Sequence, residues 1–210
     1  MSKQIVREAR WPAFVAMIAA GCLYWALPEP LSMGPSWSLF AIILVLLIPI
    51  ALAHRRGDYK MARVLTFASN GAITVAMIGS LIFLIQGIPS HREAPTTLLR
   101  SAGALWITNV LVFALWYWKL DAGGPRGRET ARGDLNSSFL FPQMLVPDCD
   151  ISSWSPNFMD YLFLAFNTST AFSPTDTAVL SRWAKAVMMV QALISLAIVA
   201  LVAARAVNIL

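Results

Sequence analysis

Residues 167–176 hold the side chains whose type and spacing could do chemistry. Asn167, Thr168, Ser169 and Thr170 put four uncharged, oxygen-bearing side chains in a row, followed by Phe172, Ser173, Pro174, Thr175 and Asp176. Hydroxyl, amide and carbonyl oxygens can replace the hydration shell of a permeating ion, and a carboxylate at a pore mouth attracts cations. In this reading Asn167 to Thr170 offer oxygens, Asp176 draws cations in, and Phe172 forms an apolar constriction that closes by dewetting. A second reading stays open: the hydroxyls bond back to carbonyls of their own helix, Asp176 caps a turn and Phe172 sits in the core.

Elsewhere the chain is poor in reactive groups. No acidic residue falls in the middle of a long apolar run, and His54 and His91 lie in connecting segments. Proton-coupled carriers relay charge through ionisable groups buried at membrane depth, so that class is disfavoured. There is no His/Cys cluster at metal-ligand spacing, no phosphate-cradling glycine loop and no serine nucleophile motif, so neither an enzyme nor a bound cofactor or metal is expected. The cysteines, Cys22 in an apolar run and Cys149 in a polar connection, are too few for a disulfide framework. Asn136-Ser137-Ser138 and Asn167-Thr168-Ser169 match the glycosylation sequon, a pattern too common by chance to carry weight.

The elements that must position residues 167–176 follow from composition and periodicity. The chain has 210 residues, 58% hydrophobic and 13% charged, against about 45–50% and about 25% in soluble domains. These proportions exclude a water-soluble fold. The length allows at most about six bilayer helices, at about 20 residues per crossing. The net charge of +5 comes from basic residues flanking apolar runs, which selects a lipid bilayer over nucleic acid as the partner.

Apolar runs at 11–27, 37–53, 64–87, 102–118 and 184–210 read as five long transmembrane helices, with a shorter sixth at 158–172. The first lacks a small-residue cleavage site and is expected to be retained rather than removed as a signal sequence. Ala68, Ala72, Ala76 and Ser80 form a small-residue stripe on the third, and Ala192, Ala200 and Ala204 line one side of the last, as at close helix contacts. Trp116-Tyr117-Trp118-Lys119 reads as an aromatic belt at the headgroups. Residues 121–134 are expected to be a solvated connector, and 135–154 an ordered interfacial loop. Ser155-Pro156-Asn157 with Asp160 signals a helix start. Three units follow: 1–119, 120–153 and 154–210.

Around the first four helices, Lys3, Arg7, Arg10, Arg55, Arg56, Lys60, Arg63, Lys119, Arg126, Arg128 and Arg132 fall on one side of the membrane, and only Arg92 and Arg100 on the other. The basic excess marks the cytoplasmic side, which places the amino terminus inside.

Asp160 through Thr170, then Ser173-Pro174-Thr175-Asp176, Arg182 and the long helix ending Ala203-Ala204-Arg205-Ala206-Val207-Asn208 resemble the pore helix, filter and inner helix of two-transmembrane potassium channels. The same stretch resembles an uncharacterised bacterial multi-pass membrane family with a channel-like carboxy-terminal module. The resemblance implies an ion channel of the bacterial inner membrane, working as a homo-oligomer on monovalent cations, with Asn167, Thr168, Ser169, Thr170, Phe172, Ser173 and Asp176 along the pathway. Thr170 to Pro174 contains no glycine, so the left-handed carbonyl alignment of a potassium-selective filter is not expected. Channels also place this loop outside, whereas the basic-residue count puts the preceding connector inside. The expected architecture is all-helical, with residues 158–172 crossing or re-entering as a pore loop. A non-conducting membrane scaffold that keeps a channel-derived fold is the alternative.

Overall fold

Runs of straight-chain and small apolar residues, interrupted by glycine and proline, fold into seven helices among the described residues. The computed structural model describes residues 8–87, 95–130, 137–145, 154–172 and 176–207. The helices are α1 (Trp11–Trp25), α2 (Trp37–Arg56), α3 (Tyr59–Gly87), α4 (Pro95–Leu120), the short α5 (Pro125–Thr130), α6 (Phe158–Ala171) and α7 (Arg182–Val207). Four of them, α2, α3, α4 and α7, are long and apolar enough to cross a membrane. The first apolar run makes a shorter helix of 15 residues, about 22 Å long, because Pro28 and the turn behind it follow directly. Among the described residues, four of the five expected long crossings thus have full-length helices.

Helix ends follow local chemistry. Pro12 occupies the first turn of α1, where a missing N–H costs nothing. Gly57, in the left-handed region at φ 75°, ends α2, with its N–H and that of Asp58 donating to the carbonyls of His54 and Ala53. Asp58 then accepts from the Met61 N–H at 3.1 Å and starts α3 in the same turn.

α4 lies at the centre, packed on α1, α3, α6 and α7, with α2 outside against α1 and α3. Its core residues point all round the helix: Leu98, Leu105, Val112, Phe113, Leu115, Tyr117 and Trp118 are all buried. Tyr117 and Trp118 therefore pack inside the protein instead of forming an aromatic belt. Of the expected small-residue stripe on α3, Ala76 and Ser80 are buried while Ala68 is exposed. Ala200 and Ala204 on α7 are likewise exposed; its core face is Ala184, Met188, Gln191, Ser195 and Ile198.

The connector after α4 is a further correction. A tight turn (Asp121–Gly123) and α5 fold back onto the bundle, burying Asp121 completely and Arg128 to 6% exposure. Its composition is polar, but Arg128 satisfies carbonyls at the end of α4, and the Asp121 carboxylate accepts from residues 137–138 and from Tyr161, instead of facing water.

The fold contains one short antiparallel pair among the described residues, β1 (Phe139–Leu140) with β2 (Ala178–Val179), Phe139 opposite Val179. The Phe139 ring touches Tyr117 near the end of α4 (5.3 Å between ring centres), Tyr161 near the start of α6 (6.2 Å) and Trp183 at the start of α7 (6.0 Å). α6 and α7 thus begin at the same end of the bundle. α6 runs antiparallel to α4, with Trp118 against Phe158 at one end and Trp106 against Phe166 further in. After Phe172 the chain returns to its starting level by Ala178.

Candidate functional site

α6 is built to start sharply and penetrate. Asn157 Oδ1 accepts from the Met159 N–H at 2.8 Å, and the Asp160 carboxylate accepts from the Asn157 N–H at 2.7 Å, a reciprocal capping box. Replacing Asn157 by alanine should cost about 1 kcal/mol, read as a lower melting temperature of the detergent-solubilised protein. At the far end Phe172 takes the left-handed conformation (φ 54°) and stops the helix.

The sequence-predicted residues divide by face. Thr168 and Ser169 are buried, Asn167 is half-buried, and Thr170, Phe172 and Asp176 are exposed. Phe172 is therefore not a core residue in this chain. Asn167 donates to the Phe163 carbonyl at 3.0 Å, Thr168 to that of Leu164 at 2.8 Å and Thr170 to that of Phe166 at 3.0 Å. These bonds back to the preceding turn let hydroxyls sit in an apolar helix without loose donors. Ser173, with Pro174 and Thr175, lies outside the described residues, as do His91, Cys149 and Asn136.

Ser169 belongs to a different constellation, one that joins three helices. Gln191 on α7 donates through Nε2 to the Ala165 carbonyl (2.7 Å) and to Ser169 Oγ (2.8 Å), and its Oε1 accepts from the Tyr117 hydroxyl. Asn109 on α4 donates through Nδ2 to Ser195 Oγ at 2.7 Å, with longer contacts of 3.4 Å to Ser169 Oγ and the Gln191 carbonyl. Asn109, Gln191 and Ser195 are fully buried. Asn109 Oδ1 has no donor among the described residues. Polar side chains that bond across helices at membrane depth hold neighbours in register.

A second buried cluster clamps the start of α6. Asp121 accepts the Tyr161 hydroxyl at 2.6 Å, the Ser138 N–H at 2.5 Å and the Ser137 hydroxyl at 2.9 Å. Arg128 donates to the Trp118 and Asp121 carbonyls at 3.1 and 3.0 Å, satisfying the carboxyl end of α4 with a cation. Its other amino group pairs with Glu8 at 2.9 Å, and the Glu8 carboxylate also accepts from the Trp118 indole.

Sequence reasoning missed Asn109, Gln191, Ser195, Tyr117 and the Asp121 cluster. The signal was present in part: Asn109 and Gln191 are lone amides within long apolar helices, where a polar group needs a partner. Asp121, Arg128 and Glu8 carried no such signal, because charges next to apolar runs ordinarily face water. Comparison with family models, with curated proteins and with solved structures yields no match.

Proposed function

We propose that the chain is a multi-pass protein of the bacterial cytoplasmic membrane, amino terminus inside, whose α6, return segment and α7 line an ion pathway of unusual selectivity in a homo-oligomer. The observation that carries this reading is the shared starting level of α6 and α7. α6 is a re-entrant helix in this proposal, and backbone that leaves helical geometry at membrane depth is tolerated where it is buried by protein or lines water. Thr170 and Phe172, with Asn167 beside them, lie on the outward side of α6 together with the exposed Met159, Phe163 and Phe166. A second copy of the chain covers that side in the assembly, and monovalent cations are the permeant class. The orientation rests on the basic excess at the end where α2 stops and α3 starts.

Flux measurement tests the proposal. Purified protein in liposomes should pass potassium or sodium ions above the rate of empty vesicles. The Asn167→Ala/Thr170→Val double variant should lower that rate about tenfold, as losing coordination of hydrogen-bond strength raises the barrier by about 1.4 kcal/mol. Flux at the empty-vesicle rate, or unchanged in a folded variant, overturns it. The competing reading, a non-conducting scaffold, is favoured by one observation: the Thr168 and Ser169 hydroxyls are already engaged inside the protomer.

A further inference from the structure

The end of the bundle where α2 gives way to α3 carries a cleft of about 650 Å³ that the ion pathway does not use. It lies between the start of α1, the α2–α3 turn, the end of α4 and the loop before α5. Arg10, His54, Lys60, Arg63, Lys119 and Arg126 line it, with Asp58 as the acidic residue in its wall. The Asp58 carboxylate is engaged in starting α3, where it accepts from the Met61 N–H. His54 Nδ1 donates to the Ile50 carbonyl at 2.8 Å, which turns Nε2 away from its own helix. Five lysine and arginine side chains thus converge from four segments of the chain around a cleft whose lining carries one carboxylate, a balance that favours an anion.

Two of the cations lie on aromatic rings. The Arg126 guanidinium stacks on Tyr59 with 3.5 Å to the ring centre, and the Lys119 ammonium lies 5.0 Å from the centre of the Trp118 ring. The wall between them is glycine: Gly123, Gly124 and Gly127 line the cleft. Gly124 sits at φ 83°, and a Cβ at Gly127 would collide with the Ala122 carbonyl, so the backbone closes there only because side chains are absent.

We propose that this cleft binds a phosphate group. Phosphate oxygens accept from several arginine and lysine donors at once, and arginine forks match them bidentately. At the end of a membrane bundle the phosphate can come from the headgroup of an anionic phospholipid, or from a soluble phosphorylated compound. Both sources present the same chemistry to the cleft.

Acylation of lysine amines on the full-length protein, read by mass spectrometry, tests the site and separates the sources. Lys60, in the cleft, and Lys185, exposed at the start of α7 and outside the lining, are followed together. In phosphatidylcholine mixed micelles, added inorganic pyrophosphate should protect Lys60 and not Lys185 if a soluble phosphate is the ligand. If a lipid is the ligand, phosphatidylglycerol should protect Lys60 where pyrophosphate does not. The Arg63→Gln/Arg126→Gln variant should weaken the protecting probe about tenfold. Arg55→Gln/Arg56→Gln, which removes as much charge outside the lining, should leave it unchanged. Failure of both probes to protect Lys60 in the wild-type protein overturns the proposal whatever the variants do. So does equal protection of Lys185, or equal loss in the two variants.

Discussion

Replacing Asp121 by alanine is expected to destabilise the protein by about 3–5 kcal/mol, since each buried hydrogen bond to a charged group contributes about 1.5–3 kcal/mol. The carboxylate is fully buried and accepts from Tyr161, Ser137 and the Ser138 backbone, so truncation orphans the Tyr161 and Ser138 donors, while the Ser137 hydroxyl keeps the Phe139 carbonyl at 2.8 Å. Asparagine separates charge from shape. Its amide oxygen can keep the Ser138 N–H, which can only donate, while its nitrogen faces the Tyr161 hydroxyl, which can turn and accept. Asp121→Asn should therefore cost about 1–2 kcal/mol, and Tyr161→Phe about 1 kcal/mol. Reversible unfolding in mixed detergent micelles gives the three values. An alanine variant as stable as the asparagine one would refute the role assigned to the carboxylate, whose function is to hold α6 and the β1 loop to the end of α4.

Gln191→Leu is expected to cost about 2–3 kcal/mol, although leucine fills nearly the same volume. Hydrogen bonds between helices in bilayers average about 0.6 kcal/mol, with a maximum near 1.7, and Gln191 makes three, to Ala165, Ser169 and Tyr117. The rest of the penalty comes from the stranded Tyr117 hydroxyl, since a buried donor without a partner costs about 1–3 kcal/mol. Adding Tyr117→Phe removes that donor, so the double variant should be more stable than Gln191→Leu alone by about 1 kcal/mol. The readout is the same unfolding equilibrium. Additive losses would mean that the two side chains do not interact. Because Gln191 joins α7 to α6, its variants also test how much the packing of α6 on α7 depends on this junction.

The Asn109 and Gln191 junction shows why a sequence reading stops short of the site. Each amide alone is one polar residue in an apolar helix, and nothing in the order of residues says that positions 109, 169, 191 and 195 meet. The meeting depends on α6 and α7 running side by side from one end, which is set by the pairing of residues 139–140 with 178–179. The cleft has the same origin. Arg10 and Arg126 are 116 positions apart, and each by itself reads as a charge flanking a membrane helix. The folded connector was illegible for the opposite reason, since its polar composition matches that of a solvated loop.

Membrane-compatible helices and the short α6 with its Asn157 and Asp160 start and its end near residue 172 were legible in chain order, because apolar runs, caps and turns act over fewer than about twenty residues. Which hydroxyls face inward, which aromatic residues are core instead of belt, and where Asp121 and Arg128 find partners were decided by assembly of the helices around α4. Burial and hydrogen-bond satisfaction are properties of pairs of surfaces, and a surface has a partner only once the chain has folded.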